Sequence, residues 1–289
     1  MPTFPRAEFT ALWCTLERLL APDGCPWDRE QQAADVARHC IEEAHEWLEA
    51  CRGADPASQA DELGDLAYLV LFGLLVQARD LGAQPGQSLR LIDAKLRRRH
   101  PHLFGGEAAA PKDSREQLGV WEQVKREERR AQGGDEAYLK PLPASLGALA
   151  RSHRYQEKAA QVGFDWPDLA GVLAKLAEER AELEREMVDL PLIPPSGKGQ
   201  PSERYRGRLA GKDLGRLRDE LGDLFFVLAN LCRWLGMDAE EVAEDANRKF
   251  LRRFNAMEAS LRARGRSLQE ADLDEMESHW QAIKRDDSA

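Results

Sequence analysis

No stretch of the chain alternates apolar and polar residues with period two, so nothing in it reads as a half-buried strand. Cysteine is scarce. Cys14, Cys25, Cys40, Cys51 and Cys232 make an odd count, and none falls in a C-x-x-C pair. Neither a disulfide framework nor a thiolate zinc site is indicated, and mostly buried, reduced thiols are expected. Long apolar runs are missing too. The longest extends from Leu66 to Val76, well short of the roughly 18 residues a membrane span needs, so no membrane partner is expected. Positive charge is in deficit: 41 Lys and Arg against 51 Asp and Glu give a formal charge of −10. That balance speaks against a general nucleic-acid binder, which needs a basic face. The first residues, Met1 to Glu8, lack the basic-then-apolar order of a secretory signal, which leads us to expect a cytoplasmic protein.

What is present is helical. Leu, Ala, Glu and Arg dominate, and Gly and Pro gather between periodic segments, as at 53–56, 82–86 and 105–106. At 289 residues, 43% of them hydrophobic, the chain can hold two ordinary domains with real cores. We expect an all-α protein with domains at 1–132 and 146–289 and a linker at 133–145. A Pro/Gly-rich stretch at about 191–215 reads as an irregular insert.

One acidic pattern is written twice. Glu42-Glu43-Ala44-His45-Glu46 precedes Glu62-Leu63-Gly64-Asp65, and Glu178-Glu179-Arg180-Ala181-Glu182 precedes Glu220-Leu221-Gly222-Asp223. Other pieces recur in the same order. Gly24-Cys25-Pro26-Trp27 is answered by Gly163-Phe164-Asp165-Trp166, and Lys95 to Arg99 by Lys249 to Arg253. Trp121 to Lys125 is answered by Trp280 to Lys284. Repeated order over more than a hundred residues indicates duplicated domains. Trp27 and Trp166, following turn-like glycines, are expected in the cores. The runs after each E-L-G-D, Leu66 to Phe72 and Leu224 to Leu228, have no polar face. A helix apolar all round is buried all round, which small bundles achieve by packing on a partner chain, so a dimer or higher oligomer is expected.

Residues three or four apart share a helix face. Glu42, Glu43 and Glu46 therefore form one wedge and Glu62 and Asp65 another; the second copy offers Glu178, Glu179 and Glu182 with Glu220 and Asp223. Clustered carboxylates repel, and facing inward they need protons or a cation. Oxygen-only ligands suit Mg²⁺, or Mn²⁺, and such ions carry phosphates. Lys95 with Arg99, and Lys249 with Arg253, are i,i+4 cation pairs fit to hold phosphate oxygens. Lys175 lies one turn before the second acid pair, where the first half has His39. Arg216 lies four residues before Glu220, where the first half has Ser58. The second half is thus richer in cations and is expected to be the stronger catalyst. Trp121 and Trp280 could stack on a base, while His100 and His102 have no paired acid and read as structural.

With these motifs assembled, the chain closely resembles the MazG family of nucleoside triphosphate pyrophosphohydrolases, in tandem-domain form. Gly24 to Asp28, Arg99 to Gly105, both acid pairs, and Asn247 to Phe254 carry the resemblance. It implies Mg²⁺-dependent hydrolysis of nucleoside triphosphates to monophosphate and pyrophosphate, broad base tolerance, nucleotide-pool housekeeping and a homodimer. It implies metal ligands at Glu179, Glu182, Glu220 and Asp223, and in the first half at Glu43, Glu46, Glu62 and Asp65. It implies nucleotide contacts by Lys175, Arg216, Lys249, Arg253 and Trp280. Glu178 or Glu179 could serve as the base that polarises a water. The insert is a departure from the pattern: the acids are 220 − 182 = 38 apart in the second half against 62 − 46 = 16 in the first.

Two other readings exist. A non-catalytic scaffold or nucleotide-binding regulator would keep the acids for stability, although clustered carboxylates are costly there. A di-iron bundle would use Glu42 and His45 as Glu-x-x-His, but that architecture wants two such motifs, and Ala181 stands at the second position.

Overall fold

The computed structural model describes residues 3–53, 55–105, 111–131, 137–188 and 214–287. The expected insert at 191–215 lies almost wholly outside the described residues, as does the start of the expected linker. Among the described residues every regular element is a helix. The chain divides into two compact units, Met1–Asp135 and Glu136–Ala289.

The first unit holds α1 (Arg6–Leu20), α2 (Pro26–Glu30), α3 (Ala33–Gly53), α4 (Pro56–Leu81), α5 (Gly86–Arg99), α6 (Pro101–Phe104) and α7 (Ser114–Ala131). Helices α3 and α4 pack against each other, and α1 lies on α4. Their meeting faces bury Leu16, Val36, Leu71, Phe72 and Val76, with Leu12, Trp13, Tyr68 and Leu75 around them. Helix α4 starts where the chemistry asks: the Asp55 carboxylate accepts the Ala57 N–H, and Pro56 occupies the first turn, where no donor is lost. It ends at Gly82, whose φ of +64° is cheap only for glycine.

The second unit holds α8 (Ala148–Gln161), α9 (Leu169–Met187), α10 (Gly215–Trp234), α11 (Ala239–Ala263) and α12 (Leu273–Asp286). Helix α10 packs on α8 and α9, and α11 packs on α12. Asp168, Asp238 and Asp272 cap α9, α11 and α12 through their side chains. Met257, Leu261 and Ala271 form the core between α11 and α12, with Phe254, Met276 and Trp280 against it.

Two expectations change, on the tryptophans and the cysteines. Helices α4 and α10 keep exposed apolar surface within one chain, where the sequence reading asks for a partner chain. Val70 is 52% exposed, and Leu221, Phe225 and Leu228 leave an apolar face on α10 in the open. The tryptophans expected in the cores are largely outside: Trp27 is 56% and Trp166 39% exposed. On short α2 it is Asp28 that is buried, while Trp27 beside it meets only the edge of the unit at His39, ring centroids 6.2 Å apart. In the second unit, the Trp166 ring rests against the first turn of α9, where Gly171 leaves room; a Cβ there would meet the ring at 2.7 Å. The cysteines are free, but Cys14 and Cys51 are exposed and the other three only half-buried. No single helix among the described residues is long and apolar enough to cross a membrane.

Candidate active site

Each unit gathers one carboxylate from the E-E-x-x-E helix and two from the E-L-G-D helix. Glu43 on α3 meets Glu62 and Asp65 on α4, and Glu179 on α9 meets Glu220 and Asp223 on α10. In each set, one oxygen per residue lies within 4.8 Å of the others. The spacing explains this. Glu62 and Asp65 are three apart, so both leave α4 on the face that packs on α3, and the second copy repeats the arrangement.

The other acids stand outside these sets. Exposed Glu42 is bound to His39 at 3.1 Å, and His45 and Glu46 are exposed. Glu182 takes Arg185 at 2.9 Å. Glu46 and Glu182 still act through their charge. Burial first, then Glu46, Asp65, Glu62 and Glu42, pushes the Glu43 carboxyl above its usual range. Glu62 is raised by burial, Glu46, Asp61 and Asp65. Glu220 is raised by burial, then by Glu182, Glu179, Asp223 and Glu186. The sets are thus sites of unmet negative charge built only from oxygen donors, and this fits a hard divalent cation.

The second unit adds a cation of its own. Lys175 Nζ lies 2.6 Å from Glu179 Oε1 and 3.3 Å from Glu178 Oε2. Glu179 is only 4% exposed, and a carboxylate so enclosed must be paired. The hydrogen bond to Glu179, more than that to Glu178, raises the Lys175 pKa and keeps it charged. Beside this cluster opens a cavity of about 650 Å³ that shares Lys175, Glu179 and Asp223 with it.

The MazG nucleotide pyrophosphohydrolase domain matches residues 31–104 and again 169–257, so each match encloses one acid set. The chain belongs to the MazG family. A nucleoside triphosphate pyrophosphohydrolase of Escherichia coli K12 is 38% identical over 96% of this chain and 97% of its own length. A nucleoside triphosphate pyrophosphohydrolase/pyrophosphatase MazG of Thermotoga maritima is 34% identical over 96% of each. A solved MazG-related protein from the same organism aligns at 28% identity and a TM-score of 0.36, covering 40% of this chain and 97% of its own.

In this MazG chain the expected phosphate cations are placed unevenly. Lys175 stands in the acid set. Arg216 is 85% exposed and reaches no nearer than 4.0 Å to Glu186. Lys95 and Lys249 are exposed. The arginines are engaged elsewhere: Arg98 and Arg99 hold Glu128 at 2.9 and 2.8 Å, and Arg252 and Arg253 hold Asp287 at 2.8 and 2.7 Å. Both acids are pulled below the usual carboxylate range by these hydrogen bonds, Glu128 by Arg99 first and Asp287 by Arg253 first. Sequence reasoning missed this clamp, although a signal was there: 128 − 121 = 7 and 287 − 280 = 7, so each acid stands equally far past its repeated tryptophan. Trp280 packs against Phe250, with ring centroids 5.5 Å apart, in the core between α11 and α12. Trp121 meets His100 edge-on at 5.4 Å, and His100 Nδ1 bonds the Leu96 carbonyl.

A second group missed by sequence lines the cavity. Arg233 Nη2 donates to Asp165 Oδ1, and Arg233 also donates to Asn230 Oδ1 through Nε and Nη2 at 3.1 and 2.8 Å. Burial alone would raise the Asp165 pKa, but Arg233 and the N–H groups of Trp166 and Trp234 outweigh it and lower it.

Proposed function

We propose that this chain hydrolyses nucleoside triphosphates to nucleoside monophosphate and pyrophosphate, with the acid set of the second unit as its main centre. The observation that carries this reading is the meeting of Glu179, Glu220 and Asp223 with Lys175, anions and a cation together, at the mouth of a nucleoside-sized cavity. The names of the near full-length relatives support the same activity.

Glu179, Glu220 and Asp223, with Glu182 alongside, would hold Mg²⁺; Mn²⁺ suits the same oxygens. A bound divalent ion supplies positive charge that offsets charge on the phosphate oxygens. Lys175 adds a positive charge fixed by its two carboxylates. Once phosphate oxygens compete for Lys175, Glu178, exposed and only 3.3 Å from it, is free to take a proton from an attacking water. The water forms one P–O bond, the anhydride P–O bond breaks, and pyrophosphate leaves. Arg216, Lys249 and Arg253 are proposed to meet phosphate oxygens, and Trp280 the nucleotide. For Arg253 this requires exchanging Asp287 for phosphate. In the first unit Glu43, Glu46, Glu62 and Asp65, with Lys95 and Arg99, form the weaker counterpart, because His39 stands where Lys175 stands in the second.

We further propose broad base tolerance, nucleotide-pool housekeeping in the cytoplasm, and a homodimer closed over the apolar face of α10. Pyrophosphate release by paired variants tests which unit works. Glu220→Gln is expected to lower turnover at least about a hundredfold and Glu62→Gln less than about threefold. The reverse order would overturn the assignment to the second unit.

A further inference from the structure

An ion pair of the second unit joins the end of one helix to the approach of another. Arg233, in the last turn of α10, donates through Nη2 to Asp165 Oδ1, in the segment that leads into α9. The same oxygen accepts the Trp166 N–H at 2.9 Å and the Trp234 indole N–H at 3.3 Å. Two further bonds from the guanidinium hold Asn230 Oδ1. The side chains of Arg233 and Asp165 are only 14% and 24% exposed, and both residues line the cavity beside the acid set. So do Phe164 and Trp166, the chain neighbours of Asp165. Asp223 of the acid set stands 233 − 223 = 10 residues before Arg233 on the same helix, a rise of about 15 Å. Helix α9 and its approach therefore meet α10 at two places, the acid set and this pair, and the cavity is lined from both.

The first unit shows that the duplicated scaffold does not need this network. Counting from the repeated aspartate, 230 − 223 = 72 − 65 = 7, 233 − 223 = 75 − 65 = 10 and 234 − 223 = 76 − 65 = 11. Phe72, Leu75 and Val76 thus occupy the places of Asn230, Arg233 and Trp234, and Pro26 that of Asp165. Phe72 and Val76 are buried core residues, and Leu75 packs against them. All four positions change together, apolar in one copy and hydrogen-bonding in the other. A half-buried ion pair is no better for stability than well-packed apolar side chains, so its presence asks for another reason. The network goes with Lys175, which stands in the same copy where the first unit has His39. It also goes with the cavity, since the matching positions of the first unit are packed core.

We propose that Arg233 is a positioning residue for the reaction of the second unit. Through Asp165 it fixes the 163–166 segment on α10 and holds the cavity open for the part of the substrate beyond its phosphates. The proposal rests on the triphosphate reading above, in which the phosphates lie at Lys175 and the acids. Arg233 is about 15 Å along α10 from Asp223, so it acts on the wall that carries Phe164 and Trp166 and not on the anhydride. An arginine is needed for this. Its planar fork meets an amide and a carboxylate in fixed directions at once, which a lysine ammonium cannot do. The wall touches substrate and transition state alike, so loosening it weakens both equally. The loss then appears in KM and spares kcat.

Steady-state kinetics with ATP and Mg²⁺, beside calorimetry of inorganic tripolyphosphate with Mg²⁺, test this on the whole protein. Arg233→Met and Asp165→Ala are each expected to raise KM about tenfold and to change kcat less than about twofold. Because Arg233 acts through Asp165, the double variant should stay near about tenfold and not multiply to about a hundredfold. Arg233→Lys, which keeps the charge without the fork, should fall between, at about threefold. Tripolyphosphate has no nucleoside and should bind every variant within about twofold of the wild type. A unit that only folds badly would lose tripolyphosphate as well. An unchanged KM in Arg233→Met would overturn the proposal. So would multiplying effects in the double variant, a loss that falls on kcat, or a matching loss of tripolyphosphate binding. If the wild type releases no pyrophosphate from ATP, the hydrolytic reading fails. Dissociation constants of an ATP analogue with methylene between the α- and β-phosphorus then judge the role of Arg233 by the same ratios.

Discussion

Lys175 Nζ sits 2.6 Å from Glu179 Oε1, and each charge constrains the other. Glu179 is 4% exposed, so Lys175→Met leaves an enclosed carboxylate without its cation. The expected cost is about 1–3 kcal/mol, kept low because the lysine itself is 35% exposed. A divalent ion neutralises the same carboxylate, so Mg²⁺ should raise the melting temperature of the variant more than that of the wild type. Thermal melting with and without Mg²⁺ reads this directly, and an equal shift in both proteins would contradict it. At this scale the sequence put Glu62 and Asp65 on one helix face for a simple reason. The three-residue step from Glu62 to Asp65 is a property of any helix. It could not show that Glu182 would turn to Arg185, because both neighbours fit the spacing and only packing chooses. Arg233 was invisible for another reason: its partner Asp165 lies 68 residues away, outside its own helix.

Helix α12 is tied to α11 by more than its apolar face. Arg252 and Arg253 share one carboxylate, Asp287, just beyond the end of α12. Depressed by these arginines, the Asp287 carboxyl stays charged below the usual carboxylate range. Its contribution is therefore present above the unfolded pKa and is lost as pH falls through the lower folded value. Asp287→Asn is expected to speed hydrogen exchange of α12 amides at neutral pH, with the difference from wild type closing as acid protonates Asp287. Exchange that is unchanged at neutral pH would show that the clamp holds nothing. The i,i+4 rule placed Lys249 and Arg253 on one face correctly, yet it gave no view of an acid 34 residues on. Helix ends were more legible. Asp55-Pro56 and Gly82 mark the limits of α4 through local chemistry alone, whereas Trp166 was misjudged because its place depends on Gly171 of the next helix.

The duplication is the main fact about the whole chain, and it was readable because order survives where identity does not. Two units, each with one acid set, follow from it. The apolar α10 face is the remaining feature at this scale. Leu221, Phe225 and Leu228 are each 40% exposed or more, a cost that a second chain would remove. Phe225→Glu is expected to convert a dimer into monomers in sedimentation equilibrium; a wild type that is already monomeric would refute the closed α10 face.

Cleavage chemistry is decided most directly by following the products of one nucleoside triphosphate with Mg²⁺ by phosphorus magnetic resonance. Monophosphate and pyrophosphate should appear in equal amounts, without orthophosphate at early times. Diphosphate and orthophosphate in their place would contradict the pyrophosphohydrolase assignment.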